Sequence, residues 1–536
     1  MNLWVLYDER SAAYFALGMA KSTSAPVALL CTSGTASANL LPAVVEANLA
    51  RVPLVAVTAD RPPESRDFGA AQTVDQVKLF GSHVKWFQDM PVASGKESLL
   101  RYSRLVGARA SHNAVTIPEG PVHVNFPFRE PLVSSSPLAA EESPDLETVH
   151  VARTSTYADE DDLKRVSVEL KGYKRGIIVV GPGEYSATVR EGLSNLSERL
   201  GWPILADILS NLRQDGALRS GLVRGYESLV RSEEFKVSKP DCVVRLGATP
   251  TSKELNQFCQ GAKTVLLDDG RSWRDPDFQA TTIVFGDLAH SVATIADALK
   301  APRPNRGWLG LWLKAGEAAE AKTESLMSEI DEPFEGKLFH LLSKVLKPPR
   351  PLTVVVGSSM PVRDLDYFFL RGSKNVHFVA NRGANGIDGV VSTAMGVSAA
   401  EGDVLLVLGD VSFYHDMNGL LASKLYKLNA TIVVVNNRGG GIFSFLSQHS
   451  LPRDLFERLF GEAHDLDFSG VRLIYGGEFA RVSDWDSFSK ALASSARAKG
   501  LRVIELTVPD RERNLQLHKE AFHELSSSAP KEEVSR

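Results

Sequence analysis

The sequence has few cysteines, no excess of basic residues and no long hydrophobic run. Three cysteines, Cys31, Cys242 and Cys259, stand among 536 residues, too few for a disulfide framework or a four-thiolate zinc site. Lys and Arg number 60 and Asp and Glu 65, giving a formal net charge of −5, which argues against a nucleic-acid-binding protein. A globular protein of the reducing cytoplasm fits this composition.

The hydrophobic runs have the length of strands. The longest, such as residues 404–408 and 431–435, fall far short of the roughly 18–20 residues that a membrane-spanning helix needs. The opening MNLWVLYDER has no basic region followed by an apolar stretch, so it does not resemble a secretory signal. We therefore predict no membrane insertion.

Short Val, Ile and Leu runs alternate with helix-length amphipathic stretches, the pattern of parallel sheets covered by helices on both faces. We predict three doubly wound α/β domains, at residues 1–135, 161–305 and 341–536. Segment 136–160 is a predicted linker because it is rich in Ser, Pro, Ala and acidic residues. Segment 306–340 is predicted to be a second linker that contains a helix. The first domain is expected to open with a strand over residues 3–7.

Polar side chains follow two predicted strands of the third domain. Asp410 comes directly after the run VLLVLG, and Asn437 follows TIVVVN, 27 positions further along the chain. In an open parallel sheet, ligands bind beyond the carboxyl ends of the strands. Magnesium takes about six oxygen ligands and commonly shares them with phosphates. Asp410, Asn437 and the backbone carbonyl of Gly439 therefore form a candidate clamp for Mg²⁺ (or Mn²⁺) and a diphosphate.

This GD-x(26)-N spacing is similar to the fingerprint of thiamin-diphosphate enzymes, although Val411 replaces the glycine of the usual GDG. The segment YDERSAAYFALGMAK resembles the pyrimidine-binding domain of the same enzymes. That resemblance implies thiamin diphosphate as the cofactor. It also places Glu9 where the family has the glutamate that activates the cofactor's aminopyrimidine ring.

One branch of these enzymes matches nearly the whole chain. The segments GSSMPVRDLDYFF, NRGANGIDGVVSTAMG and NNRGGGIFSFL resemble the 2-succinyl-5-enolpyruvyl-6-hydroxy-3-cyclohexene-1-carboxylate (SEPHCHC) synthase family. The resemblance implies a pyrimidine, a middle and a diphosphate domain, in that order. It further implies a carboligase that decarboxylates 2-oxoglutarate and adds the succinyl unit to isochorismate by 1,4-addition, in menaquinone biosynthesis.

The resemblance also implies roles for particular residues. Those that match the family's substrate and catalytic positions are Gln72, Lys253, Ser359, Arg363 and Arg382, and those that match the apolar cofactor pocket are Ile387, Ile442, Phe443 and Leu446. Guanidinium groups suit the carboxylates of both substrates. Ala71 stands where the family often has Asn, so one polar contact beside Gln72 is expected to be missing.

The family pairs the pyrimidine domain of one subunit with the diphosphate domain of another, which implies a homodimer or a dimer of dimers. Family members usually begin with one more βα unit, carrying an SPGSR-like loop, and the resemblance implies that this unit is lacking here. Two alternatives stay open on the sequence. One is a thiamin-diphosphate enzyme of the decarboxylase or acetolactate-synthase type that acts on pyruvate. The other is a catalytically silent homologue that retains the cofactor.

Overall fold

The computed structural model describes residues 2–133, 149–152, 154–270, 272–300, 307–461, 463–495 and 498–527. Within these residues the chain forms three parallel sheets, each with hydrophobic core residues on both faces. The predicted fold class of three doubly wound α/β domains is confirmed. Most of the predicted linker 136–160 lies outside the described residues.

The first sheet has the strand order β1-β2-β4-β3. Its strands are β1 (Val27–Cys31), β2 (Leu54–Asp60), β3 (Phe87–Asp89) and β4 (Val122–Pro127), and its helices are α1 (Glu9–Thr23), α2 (Thr35–Asn39), α3 (Leu41–Ala50) and α4 (Glu97–Val115). The carboxylate of Asp8 caps α1 by accepting a 2.7 Å hydrogen bond from Ser11 N. That cap begins the helix at Glu9 and so fixes the place of this residue in the first turn.

The predicted strand over residues 3–7 is wrong. The structure has no strand there, and Leu3, Val5 and Tyr7 are exposed. Trp4 packs instead on Phe15 and Tyr426, with ring centroids 5.6 and 4.8 Å away. No strand among the described residues pairs with this segment. The packing of Trp4 therefore sets its position.

The middle sheet has the order β6-β5-β7-β8-β9. Its strands are β5 (Gly176–Val180), β6 (Ile204–Ala206), β7 (Cys242–Leu246), β8 (Lys263–Asp268) and β9 (Ala280–Phe285), and its helices are α5 (Glu160–Lys171), α6 (Ala187–Leu200), α7 (Tyr226–Arg231), α8 (Glu233–Lys236), α9 (Lys253–Cys259) and α10 (Leu288–Ala298). Strands β5 and β7 are buried at every position, as expected for a sheet covered on both faces.

Helix α11 (Gly307–Glu329) lies in the predicted second linker. Its first half packs into the middle domain through Trp312, which is fully buried there. Its second half places Met327 in the core of the third domain. The helix thus joins the two domains by packing as well as by chain connection.

The third sheet has the order β11-β10-β12-β13-β15-β14. Its strands are β10 (Leu352–Val356), β11 (Val376–Ala380), β12 (Asp403–Gly409), β13 (Asn429–Asn436), β14 (Glu478–Val482) and β15 (Leu501–Thr507). Its helices are α12 (Glu335–Val345), α13 (Met360–Phe368), α14 (Val390–Glu401), α15 (Asp410–His415), α16 (Leu421–Tyr426), α17 (Arg453–Phe456), α18 (Val471–Tyr475), α19 (Trp485–Ser495) and α20 (Arg511–Ser526). Strand β11 lies on one side of β10, and β12 lies on the other. The strand order therefore reverses between β10 and β12, and ligands bind in the crevice at such a switch point.

The first and third domains meet where α1 crosses α14. A Cβ on Gly18 would lie 2.0 Å from the carbonyl oxygen of Thr393, and one on Gly396 would lie 2.0 Å from that of Phe15. The two backbones therefore approach as closely as glycine allows. Among the described residues, no helix is both long and apolar enough to span a bilayer.

Candidate active site

A cavity of about 310 Å³ opens beyond the carboxyl ends of β10, β11, β12 and β13. The turn after each of these four strands contributes to its lining. The sequence-predicted residues that line it are Ser359, Arg363, Arg382, Ile387, Asp410, Asn437, Gly439, Ile442, Phe443 and Leu446. The cavity thus lies at the switch point of the third sheet and brings together residues spread over 88 positions of sequence (359 to 446).

Asp410 begins α15 and is 2% exposed. Its Oδ1 accepts the backbone N–H of Val411 at 2.7 Å, and its Oδ2 accepts that of Gly439 at 3.1 Å. Burial raises the pKa of Asp410 above its ordinary value, and these two N–H groups oppose the rise. A divalent cation would compensate the buried charge more completely.

Asn437 follows β13 and is 9% exposed. Its Nδ2 donates a 2.7 Å hydrogen bond to Oε1 of Glu335, the first residue of α12. Its Oδ1 is buried and has no hydrogen-bond partner among the described residues. An unpaired buried amide oxygen is costly, and a cation in the cavity would satisfy it.

These observations fit a magnesium–diphosphate site. Asp410 and Asn437 supply a carboxylate and an amide oxygen, and the carbonyl of Gly439, which accepts one hydrogen bond from Gly441 N at 2.9 Å, retains a second lone pair. No group of three or more His, Cys, Asp and Glu side chains suited to a metal occurs in the described ranges. A cation held by so few protein oxygens needs others, and phosphates commonly provide them for Mg²⁺.

Two arginines give the same cavity a positive side. Arg363 lies on α13 and donates to the carbonyl of Ser359, and Arg382 follows β11. Burial and the nearby charge of Arg363 lower the pKa of Arg382 below its ordinary value. Two neighbouring guanidinium groups favour an anionic ligand, and each can bind a carboxylate in a bidentate manner.

The first domain holds the turn that carries Arg382. Oε1 and Oε2 of Glu46 on α3 accept the backbone N–H groups of Gly383 and Ala384 at 3.0 and 2.7 Å. Lys21 Nζ lies 3.3 Å from Glu46 Oε1 and 2.7 Å from the carbonyl oxygen of Ala380. Both ends of this turn are therefore bonded to side chains of the first domain.

Glu9 and Gln72 lie outside the cavity, on the first domain. Gln72 Nε2 donates to Thr32 Oγ1 at 3.3 Å and to the carbonyl of Ser33 at 3.1 Å, just beyond the end of β1. Burial, and then the charge of Glu9, raise the pKa of Cys31 to about 12, which indicates that Glu9 faces the same strand end. The two predicted residues thus belong to one group at the carboxyl edge of the first sheet.

Lys253 is exposed at the start of α9 and also lies outside the cavity. Two residues before it, the backbone N–H of Thr251 donates a 2.6 Å hydrogen bond to Asp207. The carboxylate of Asp207 is close enough to Arg382 to oppose the lowering of its pKa. The loop before α9 therefore approaches the cavity from the middle domain.

Sequence reasoning missed Glu335 and His464. Glu335 is 3% exposed, and burial raises its pKa to about 7. His464 Nε2 lies 3.3 Å from Oδ2 of Asp410. Neither residue belongs to a motif quoted above. Each contacts a residue far away in the sequence, and no local sequence pattern predicts such a contact.

Comparisons with known proteins agree with this geometry. Residues 1–79 match the family described as "Thiamine pyrophosphate enzyme, N-terminal TPP binding domain". Residues 146–348 match "Middle domain of thiamine pyrophosphate", and residues 366–506 match "Thiamine pyrophosphate enzyme, C-terminal TPP binding domain". The third match covers most of the cavity lining.

Curated relatives extend over almost the whole chain. A protein of Bacillus cytotoxicus is 42% identical over 525 residues, which cover 96% of this chain and 88% of the relative. A Geobacillus kaustophilus protein is 41% identical over 99% of this chain and 92% of its own length, and a Listeria monocytogenes protein is 40% identical over 94% and 87%. All three are named 2-succinyl-5-enolpyruvyl-6-hydroxy-3-cyclohexene-1-carboxylate synthase. The chain belongs to the SEPHCHC synthase family. Within this family of thiamin-diphosphate enzymes, the cavity of the third domain is the candidate active site.

Proposed function

We propose that this chain is a thiamin-diphosphate-dependent carboligase that joins 2-oxoglutarate to isochorismate to form SEPHCHC, in menaquinone biosynthesis. One observation carries the proposal. The buried carboxylate of Asp410, the unpaired oxygen of Asn437 and the two arginines Arg363 and Arg382 converge on one cavity. A cation site for a diphosphate therefore lies beside a site for carboxylates.

Asp410, Asn437 and the Gly439 carbonyl would hold Mg²⁺ or Mn²⁺ for the diphosphate, while Ile387 and the apolar group Ile442, Phe443 and Leu446 would surround the cofactor. Bound thiamin diphosphate supplies the electron sink that decarboxylation of a 2-oxo acid requires. In the reaction 2-oxoglutarate loses CO₂, and its remaining four-carbon unit forms a carbon–carbon bond to the isochorismate ring, with uptake of one proton.

The arginines select the substrates. Arg363 and Arg382 bind carboxylate groups, with Ser359 beside them and Lys253 reaching in from the middle domain. A site for pyruvate needs fewer cations, because pyruvate has a single carboxylate, so the paired guanidinium groups favour a dicarboxylate. Gln72 contacts the substrate near the reacting carbon.

Glu9 would hold and share a proton at the ring nitrogen N1′ of the aminopyrimidine. Because Glu9 and Gln72 lie on the first domain and outside the cavity, we propose that they act on the cavity of a second copy of the chain. Each active site then needs two chains, in a homodimer or a dimer of dimers. We also propose a cytoplasmic location, consistent with three cysteines that form no disulfide.

The direct test is an absorbance assay of isochorismate consumption with thiamin diphosphate and Mg²⁺, supplied with either 2-oxoglutarate or pyruvate. The proposal expects consumption with 2-oxoglutarate only. Faster CO₂ release from pyruvate than from 2-oxoglutarate in a parallel assay, with isochorismate left unconsumed, would support the decarboxylase or acetolactate-synthase type. Tryptophan fluorescence measures cofactor binding. Binding without turnover of either acid would identify a silent homologue.

A further inference from the structure

The side-chain amide of Asn437 is held in one orientation. Its Nδ2 donates a 2.7 Å hydrogen bond to Oε1 of Glu335, a residue that also lines the cavity. Its Oδ1 has no hydrogen-bond partner in the part of the chain that the structure describes. The amide therefore presents its oxygen, the atom that can bind a cation, on the side that Glu335 does not occupy.

In its ionised form Glu335 permits only this orientation. A carboxylate accepts hydrogen bonds and does not donate them, so a rotated amide would place the oxygen of Asn437 against an oxygen of Glu335. Glu335 is itself fixed, because it is 3% exposed and begins α12 next to Phe334, which is fully buried. The ring of Phe334 packs edge-on against Phe368 of α13, with centroids 5.5 Å apart.

Gly441 closes the same side of the amide. A Cβ added to this glycine would lie 2.5 Å from Nδ2 of Asn437, while the distance to Oδ1 would be 3.7 Å. The space beside the amide nitrogen therefore exists only because residue 441 has no side chain. Glu335 and Gly441 together enclose the nitrogen and leave the oxygen free.

We propose that Glu335 is a positioning residue, which turns the amide of Asn437 so that its oxygen binds the divalent cation. This inference rests on the proposed function, since it needs a cation in the cavity. Partners that orient metal ligands typically contribute 10–100-fold to affinity for the metal. In this proposal Glu335 acts on the cation through Asn437, so its effect must appear first in cation binding.

The test measures Mn²⁺ affinity of the full chain in the presence of thiamin diphosphate, by the electron paramagnetic resonance signal of free Mn²⁺. Glu335→Leu removes the acceptor, and we expect about a 10–100-fold weaker affinity. Glu335→Gln keeps an oxygen that can accept from Asn437 Nδ2, and we expect an affinity within about threefold of wild type, since only the charge is lost. Equal losses in the two variants would overturn the proposal, because charge and not amide orientation would then govern binding.

The neighbouring residue provides a matched control. Asn436 Nδ2 donates to the buried Glu505 Oε1 at 2.6 Å, and Asn436 does not line the cavity. Glu505→Leu therefore breaks the same kind of contact one position away, and we expect little change in Mn²⁺ affinity. A loss as large as that of Glu335→Leu would show a general loosening of the turn and would contradict the proposal.

Gly441→Ala tests the same amide through its second neighbour and covers the case in which Glu335→Leu does not fold. We expect weaker Mn²⁺ binding in this variant, with a circular dichroism spectrum like that of wild type. Unchanged Mn²⁺ affinity in folded Gly441→Ala or folded Glu335→Leu would overturn the inference. Failure of the wild-type chain to bind Mn²⁺ with thiamin diphosphate would count instead against the proposed function.

Discussion

The backbone N–H of Gly439 donates a 3.1 Å hydrogen bond to the carboxylate of Asp410, 29 residues earlier in the chain. This contact joins the turn after β12 to the glycine-rich turn after β13. Asp410 therefore fixes the second turn, and in the proposed function it also provides an oxygen for a cation. The geometry of the candidate clamp is set by backbone groups of two adjacent strands.

Asp410→Ala is expected to weaken thiamin-diphosphate binding by about 100-fold, equivalent to about 2.8 kcal/mol. The variant loses the cation ligand and also the acceptor for Val411 N and Gly439 N. Tryptophan fluorescence titration with the cofactor at fixed Mg²⁺ measures the effect. Recovery of wild-type affinity by excess Mg²⁺ alone would count against direct ligation.

Glu9→Gln is expected to abolish turnover and leave cofactor affinity within about threefold of wild type, since the diphosphate clamp is untouched. The amide can no longer share a proton with the aminopyrimidine. The carboligation assay and the fluorescence titration are run on the same preparation. Unchanged activity would remove Glu9 from its proposed role.

The sequence predicted the fold class and much of the candidate site, because strand ends in a parallel sheet can be located from hydrophobic runs. Asp410 and Asn437 follow such runs, and the structure brings both into one cavity. The sequence did not predict strands β3 and β14. Strand β3 has only three residues, and β14 (EFARV) is an edge strand that is largely unburied. Glu335 escaped because its contact with Asn437 spans 102 residues. Residues 3–7 have the composition of a strand, and only the packing of Trp4 shows otherwise.

Arg382→Met is expected to raise the KM for 2-oxoglutarate by about 10–100-fold, the effect of losing a charge-assisted hydrogen bond of about 1.5–3 kcal/mol. We propose that Arg382 binds the carboxylate that 2-oxoglutarate retains, so the KM for this substrate should rise more than kcat falls. Steady-state kinetics give both constants. Arg371→Met serves as the control, since Arg371 has 54% of its side chain exposed and lies outside the cavity lining.

Glu227→Gln is expected to stabilise the protein at pH 8 and to have little effect at pH 5. Burial raises the pKa of Glu227 from 4.5 to about 8. Between pH 4.5 and about 8 the folded chain keeps a proton on Glu227 that the unfolded chain releases. The contribution of Glu227 to the free energy of unfolding therefore falls as the pH rises through this range. A neutral amide removes the cost of burying the ionised carboxylate, and we expect a rise in Tm of about 2–4 °C at pH 8.

The control for this prediction is Glu233→Gln, in the neighbouring helix α8, where 85% of the carboxylate side chain is exposed. Thermal unfolding of both variants is compared with wild type at the two pH values. A gain for Glu227→Gln that is the same at pH 5 and pH 8 would contradict the account of this carboxylate.

The central claim is that one chain supplies Glu9 and a second chain supplies Asp410 to the same active site. The most direct test is a heterodimer of Glu9→Gln and Asp410→Ala chains, isolated by two different affinity tags after co-expression. If each site combines two chains, one of its two sites contains neither substitution, and the heterodimer should regain about half of the wild-type activity. Both parent homodimers should stay inactive when the assay holds thiamin diphosphate well below the dissociation constant of the Asp410→Ala homodimer. No recovered activity in a folded, purified heterodimer would contradict the account, because both residues would then belong to the same chain in each site.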